Sequence, residues 1–224
     1  MEPKLPLYAG IHKGQRRWLA DVSIRAGRTN FREQEEVVPL VRELKGFAER
    51  HTEHAHLEER FIHPILAGIM PGCSRRIETE HESQHQDLED LIKGFEMIQG
   101  MSKEHETQDV IGQELYLALN RFIAAYLMHI NYEEDYVQQT LLNTRTAEEL
   151  LTTFQSIIAA QAPPVLMANL KLMISGLNLP EMIGLFTLAR SLMPPQAFQQ
   201  MTDDASAYVE PEKWSVIKAR VGID

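Results

Sequence analysis

Apolar residues recur every three or four positions through most of the chain, so the elements this pattern predicts are helices. Between Tyr8 and Ala26 one stripe is formed by Ile11, Leu19 and Val22, and Gly27 follows as a stop signal. A second helix is predicted from about Arg32 to Leu66, with Val41, Leu44 and Phe47 on one face, Pro39 near its first turns and Pro64 near its end. As a single rod it would reach about 50 Å at roughly 1.5 Å per residue, unless Pro39 splits off a short leading segment. Met70-Pro-Gly-Cys73 is a turn signal, Ser74 a candidate cap, and a third helix is predicted over about Arg75 to Gln99 with Leu88, Ile92 and Phe95 inward. A connection from Gly100 to Glu106 leads to Thr107, a candidate cap for a fourth helix. That helix would reach about Leu142 and carry Leu115, Leu119, Phe122 and Tyr126 on its face.

The last third is patterned differently. Thr146-Ala-Glu-Glu149 fits a capping box opening a helix to about Ala160. Pro163-Pro164, Pro180, Pro194-Pro195 and Pro211 then recur at intervals suited to first-turn positions, dividing the remainder into four short helices. Leu166, Leu170, Met173, Ile183, Phe186 and Leu188 need burial, either on the preceding helices or against a second subunit, which would make a homodimer through the tail. Met167, Met173, Met182, Met193 and Met201 fall here, and flexible thioethers filling core gaps explain them better than a copper site. The reading is all-α: an up-down four-helix bundle over 1–145, followed by an extension of several short helices over 146–224.

Composition narrows the function classes. With 44% hydrophobic and 24% charged residues in 224, the chain is an ordinary globular one with enough length to bury a substantial core. No apolar run approaches the roughly 20 residues that cross a bilayer. The amino terminus lacks the basic-then-apolar pattern of a secretory signal, so a cytoplasmic location is expected. A net charge of −10 argues against nucleic-acid or anionic-membrane surfaces, both of which attract basic patches. Cys73 is the only cysteine, so no intrachain disulfide can form. Neither a Gly-x-Ser-x-Gly word nor a glycine-rich phosphate loop is present, and nucleophilic catalysis has little support.

All nine histidines lie at or before residue 129, and they mark four stretches: His12 alone, His54-x-x-x-Glu58, His81-x-x-x-His85, and His129 followed by Glu133 and Glu134. A helix returns to nearly the same face after four residues, so each such pair aims two side chains at one region. A lone His12 would ordinarily be a capping or core residue, and Glu133-Glu134-Asp135 an ordinary charged surface run. His129 on an apolar stripe argues that at least one of these carboxylates turns inward to bridge. Helical angles put Glu133 nearer to His129 than Glu134. Beside His54, His51 and His56 are further candidates; His51 reads as a partly buried residue bonding a neighbouring carboxylate, and His56 and His63 as solvent-facing or supporting. Five imidazoles and two bridging carboxylates are too many donors for one zinc, whose structural sites favour thiolates this chain lacks. They suit a shared pair of first-row metals, with iron the leading choice and manganese or a mixed pair also compatible with the spacing.

Gly10-Ile-His12-Lys, His54-Ala-His-Leu-Glu58-Glu-Arg-Phe-Ile-His-Pro64, His81-Glu-Ser-Gln-His85 and His129-Ile-Asn-Tyr-Glu-Glu134 stand in an order and spacing that resembles the hemerythrin-like (HHE cation-binding) family across roughly residues 8 to 142. The resemblance implies a four-helix bundle with a non-haem di-iron, oxo- or hydroxo-bridged centre. It places His81, His85 and His129 on one iron and His12 and His54 on the other, with Glu58 and Glu134 bridging; Glu133 is the alternative to Glu134. It implies binding of dioxygen, or a related ligand such as nitric oxide or peroxide, for storage, delivery or sensing. A di-iron oxidase, oxygenase or peroxidase is the competing reading, because Glu-x-x-His, a word of ferritin-like di-iron enzymes, occurs at Glu53/His56, Glu78/His81 and Glu82/His85. A third is an iron- or redox-responsive module with residues 146–224 as its output.

Overall fold

The computed structural model describes residues 4–101 and 107–223, and every regular element among them is helical. Most of the connection expected between Gly100 and Glu106 lies outside the described residues. The described chain falls into two compact units, one of residues 4–6 with Leu19–Ile157, the other of Leu7–Trp18 with 158–223. Helix α1 (Ala9–Arg28) contributes its first half to the smaller unit and its second half to the larger.

In the larger unit, α2 (Gln34–Phe61) packs against α4 (Cys73–Gly100), and α4 packs against α5 (Thr107–Tyr132). The second half of α1 joins them: Ser23 Oγ donates to Asn120 Oδ1 of α5 at 2.6 Å, and Arg25 pairs with Glu43 of α2 at 3.0 Å. Gly27 does not stop α1, which runs on to Arg28, and a Cβ at Gly27 would already touch the Tyr116 ring at 3.2 Å. Leu19, Leu44, Phe95, Ile98 and Leu119 are among the residues sealed in this core.

Two of the predicted rods are interrupted, both next to the histidines. The second ends at Phe61, and a short helix α3 (His63–Ala67) restarts after Ile62 because Pro64, at a first-turn position, has no N–H to continue the ladder. Pro39 is carried inside α2 without splitting it. The fourth rod passes after Tyr132 into a single π-helical stretch, Glu133–Gln138, before α6 (Gln139–Thr144) resumes. The start of α4 also differs in detail: Gly72, at φ 88°, is the residue before the helix, and Ser74 makes no cap. Only a residue tolerant of the left-handed region turns the chain there.

The tail follows its sequence signals closely. Thr146 and Glu149 exchange both capping-box bonds, at 2.7 and 3.1 Å, at the head of α7 (Ala147–Ala159). Prolines occupy first-turn positions of α8 (Pro163–Gly176), α9 (Leu179–Leu192), α10 (Pro195–Ser206) and α11 (Pro211–Val221). These four helices bury one another's apolar residues: Leu170, Met182, Phe186, Met201 and Ile217 form a core with Trp214 packed on it, edge-on to Phe186. The tail thus has an interior of its own. The first half of α1 belongs to the same unit and crosses α8 at very short range. A Cβ at Gly14 would stand 2.4 Å from the Leu172 carbonyl oxygen, and one at Gly176 2.4 Å from the backbone of Lys13.

Candidate metal centre

Within the larger unit the inward faces of α2, α4 and α5 carry imidazoles and carboxylates at one level of the core. On α2, Glu58 is buried and His54 half-buried, with His54 Nε2 3.1 Å from one Glu58 oxygen. The other Glu58 oxygen lies 3.3 Å from Nε2 of His81 on α4. From the end of α5, His129 Nε2 lies 3.3 Å from a Glu133 oxygen, which is itself 3.8 Å from His81 Nε2. His81, His129 and Glu133 each offer a ligand atom within 4.8 Å of the others, and so do His54, Glu58 and Glu133. Buried His and Glu groups that could hold metal ions are therefore present, with Glu133 common to both sets. His12, on the first half of α1 in the smaller unit, is fully buried, with its ring 5.2 Å from that of Tyr8.

Two of the sequence-derived candidates stand elsewhere. His85 is half exposed and sits between Thr52 Oγ1 at 3.4 Å and Glu89 at 3.3 Å. The reason is the phase of α4: at about 100° per residue, the buried set of Ile77, His81, Gln84, Leu88, Leu91 and Phe95 centres to one side of His81, leaving His85 roughly 80° away on the flank. Ile92, also expected inward, is only half-buried, and Leu91 takes the inner place. Glu134 is half-buried and belongs to neither set, whereas Glu133, at 0% exposure, belongs to both. The π-helical stretch opens at Glu133 and leaves the four-residue relation between His129 and Glu133 intact.

Further residues frame the site, and of these Glu80 is one that periodicity did not single out. Glu80 accepts a hydrogen bond from His129 Nδ1 at 2.8 Å and is held in turn by Arg76 Nε at 2.8 Å. His51, buried beside Tyr126, meets the amide oxygen of Gln84 at 2.9 Å where a carboxylate partner was expected. His63 is buried at 5% exposure, pairs through Nδ1 with Glu78 at 3.1 Å, and lies parallel to the His81 ring at 6.3 Å between centroids. His56 is exposed, as expected. The proline break after Ile62 rotates His63 inward, a turn that helical extrapolation along α2 could not anticipate.

The electrostatics are those of two buried carboxyl groups set among buried imidazoles. Burial, and then the neighbouring Glu133 carboxylate, push the Glu58 carboxyl well above the usual carboxylate range. Both Glu58 oxygens are sealed from solvent, one facing His54 Nε2 and the other His81 Nε2. Burial, reinforced by His129, lowers His81 to about 3, and burial lowers His51 to about 4, so both imidazoles are neutral near pH 7. Burial would lower His129 too, but hydrogen bonds and charge from Glu133 and Glu80 outweigh it and hold His129 above its usual value. Two carboxylates in one apolar interior are costly unless a cation compensates them, and neutral imidazoles with free lone pairs are ready ligands. The donor set fits a borderline first-row metal and lacks the all-oxygen character that magnesium or calcium requires.

Comparison of the chain with protein-family models, with curated proteins and with solved structures gives no match.

Proposed function

We propose that the chain is a hemerythrin-like four-helix bundle holding two iron ions that bind dioxygen, or a related small ligand such as nitric oxide or peroxide, for storage, delivery or sensing. The observation that carries this reading is the placement of Glu58, one oxygen facing His54 and the other facing His81, together with Glu133, which belongs to both donor sets. Carboxylates so placed suit a bridge between two ions. On this reading His81 and His129 hold one ion and His54 the other; Glu133 takes the bridging place beside Glu58. His12 comes to the second ion from the resemblance alone. The four bundle helices would be α1, α2, α4 and α5.

Iron bound here would supply an electron-rich centre with room for an external ligand. The protein's own residues do the rest. Neutral His81 donates without a prior loss of a proton, whereas His129, held above its usual value by Glu133 and Glu80, gives up a proton as it binds, and the packed aromatic wall of Phe47, Phe122 and Tyr126 excludes water from one side. Histidine-rich ligation gives the ions less negative charge than a four-carboxylate site, which favours reversible binding over oxidation of a substrate.

The competing reading, a di-iron oxidase or oxygenase, draws on one observation. With His85 on the flank, the set of His81, His129 and Glu133 is two histidines and one carboxylate, a donor set that leaves positions open on iron and serves oxygen-activating enzymes. Absorption spectra of anaerobically reduced, iron-loaded protein taken through cycles of air and argon separate the two. A band that appears in air and disappears under argon, cycle after cycle, supports reversible binding. A single irreversible change supports the enzyme.

A further inference from the structure

We propose that Glu80 is a positioning residue of the metal centre, orienting His129 and tuning the ion that His129 holds. The inference rests on the two-ion reading above and adds a residue that the histidine spacing does not reveal.

The geometry is a relay of four side chains. His129 presents Nε2 toward Glu133 and Nδ1 toward Glu80, at 3.3 and 2.8 Å. An imidazole that donates Nδ1–H to a carboxylate is fixed in the tautomer whose Nε2 lone pair is free, and that is the atom turned to the donor set. Glu80 is itself held, because Arg76, one helical turn earlier, donates Nε–H to its second oxygen at 2.8 Å. The Arg76 guanidinium then lies 3.8 Å over the ring of Tyr132, the residue just before Glu133. Arg76 and Tyr132 thus brace the carboxylate from the solvent side, and Glu80 cannot swing away from His129 without breaking the ion pair.

His81 offers the contrast. Its buried Nδ1 has no hydrogen-bond partner among the described residues, so none of them acts on the other imidazole of the same set as Glu80 acts on His129. The carboxylate behind His129 makes that ring a stronger donor, which favours the more oxidised state of the ion it holds. Glu80 therefore has two separable effects: orientation, which any acceptor supplies, and charge, which only a carboxylate supplies.

Glu80→Gln and Glu80→Ala separate them in the full-length chain. Metal content and affinity are read by competition with a chelator, and the reduction potential of the iron-loaded protein by redox titration. Glu80→Ala is expected to lose affinity for one of the two ions by about 10- to 100-fold. Glu80→Gln keeps an acceptor and is expected to retain both ions, with the potential displaced to more positive values. Variants that bind two irons with unchanged affinity and potential overturn the role of Glu80 while leaving the two-ion reading intact. A loss of thermal stability with no change of potential reduces Glu80 to a structural residue and likewise overturns it. A wild-type chain that holds no metal overturns both.

Discussion

One residue of register separates Glu133 from Glu134, and it decides which carboxylate enters the core. Glu133 lies four residues from His129 and is fully buried; Glu134 is turned partly to solvent. Replacing Glu133 by Ala is accordingly expected to cost at least one iron per chain, whereas Glu134→Ala should bind iron like the wild type, as metal analysis of the two purified variants will tell. His85→Ala should likewise retain both irons, while His81→Ala loses at least one. The presence of a His/Glu site was readable from spacing, because i, i+4 pairs place two donors side by side whatever surrounds them. Which member of a pair faces inward was not, since that depends on where the apolar face of the helix centres. On α4 it centres on Leu88, Leu91 and Phe95 and leaves His85 at the edge. Glu80 was invisible for a related reason: its importance comes from His129, 49 residues away.

Elements governed by local chemistry came through the sequence well. The capping box at Thr146 and the prolines that open α8 to α11 are set by neighbours a few residues away. Features set by distant partners did not. The restart of the helix at His63, the π-helical stretch at Glu133 and the glycine crossing of α1 on α8 leave no mark in hydrophobic periodicity. The crossing yields a prediction of its own. A side chain at position 176 would meet backbone atoms of Lys13 and Gly14, which cannot swing aside as a side chain can. Gly176→Val should destabilise the smaller unit by about 1–3 kcal/mol or more, the usual cost of overpacking. Hydrogen exchange should show the loss in α8 and in the first half of α1. Protection there equal to wild type would mean the crossing is looser than these distances imply.

The molecule as a whole combines an acidic chain, a buried set of neutral histidines and two carboxylates in one interior, so its stability is expected to depend on pH and on metal together. His51 has a folded value of about 4 against an unfolded value near 6.5. As pH falls below 6.5 the unfolded chain takes up a proton that the folded chain refuses, and stability drops until His51 protonates near 4. His81 acts in the same direction, and over that window each contributes a slope of up to about 1.4 kcal/mol per pH unit. Glu58, raised in the folded state, opposes them, because the folded chain protonates it first. In chelator-treated protein His51→Leu should flatten the decline of urea midpoints between pH 6.5 and 4, whatever its effect on the midpoint at pH 7; an unchanged slope would contradict a neutral, buried His51.

No helix among the described residues is long and apolar enough to cross a membrane. If Glu58 and Glu133 join two ions in one site, metal analysis of the anaerobically purified chain shows it most directly: two irons per chain are expected, falling to one or none in Glu58→Ala. A chain that holds no metal, or a single ion that survives the loss of Glu58, would contradict it.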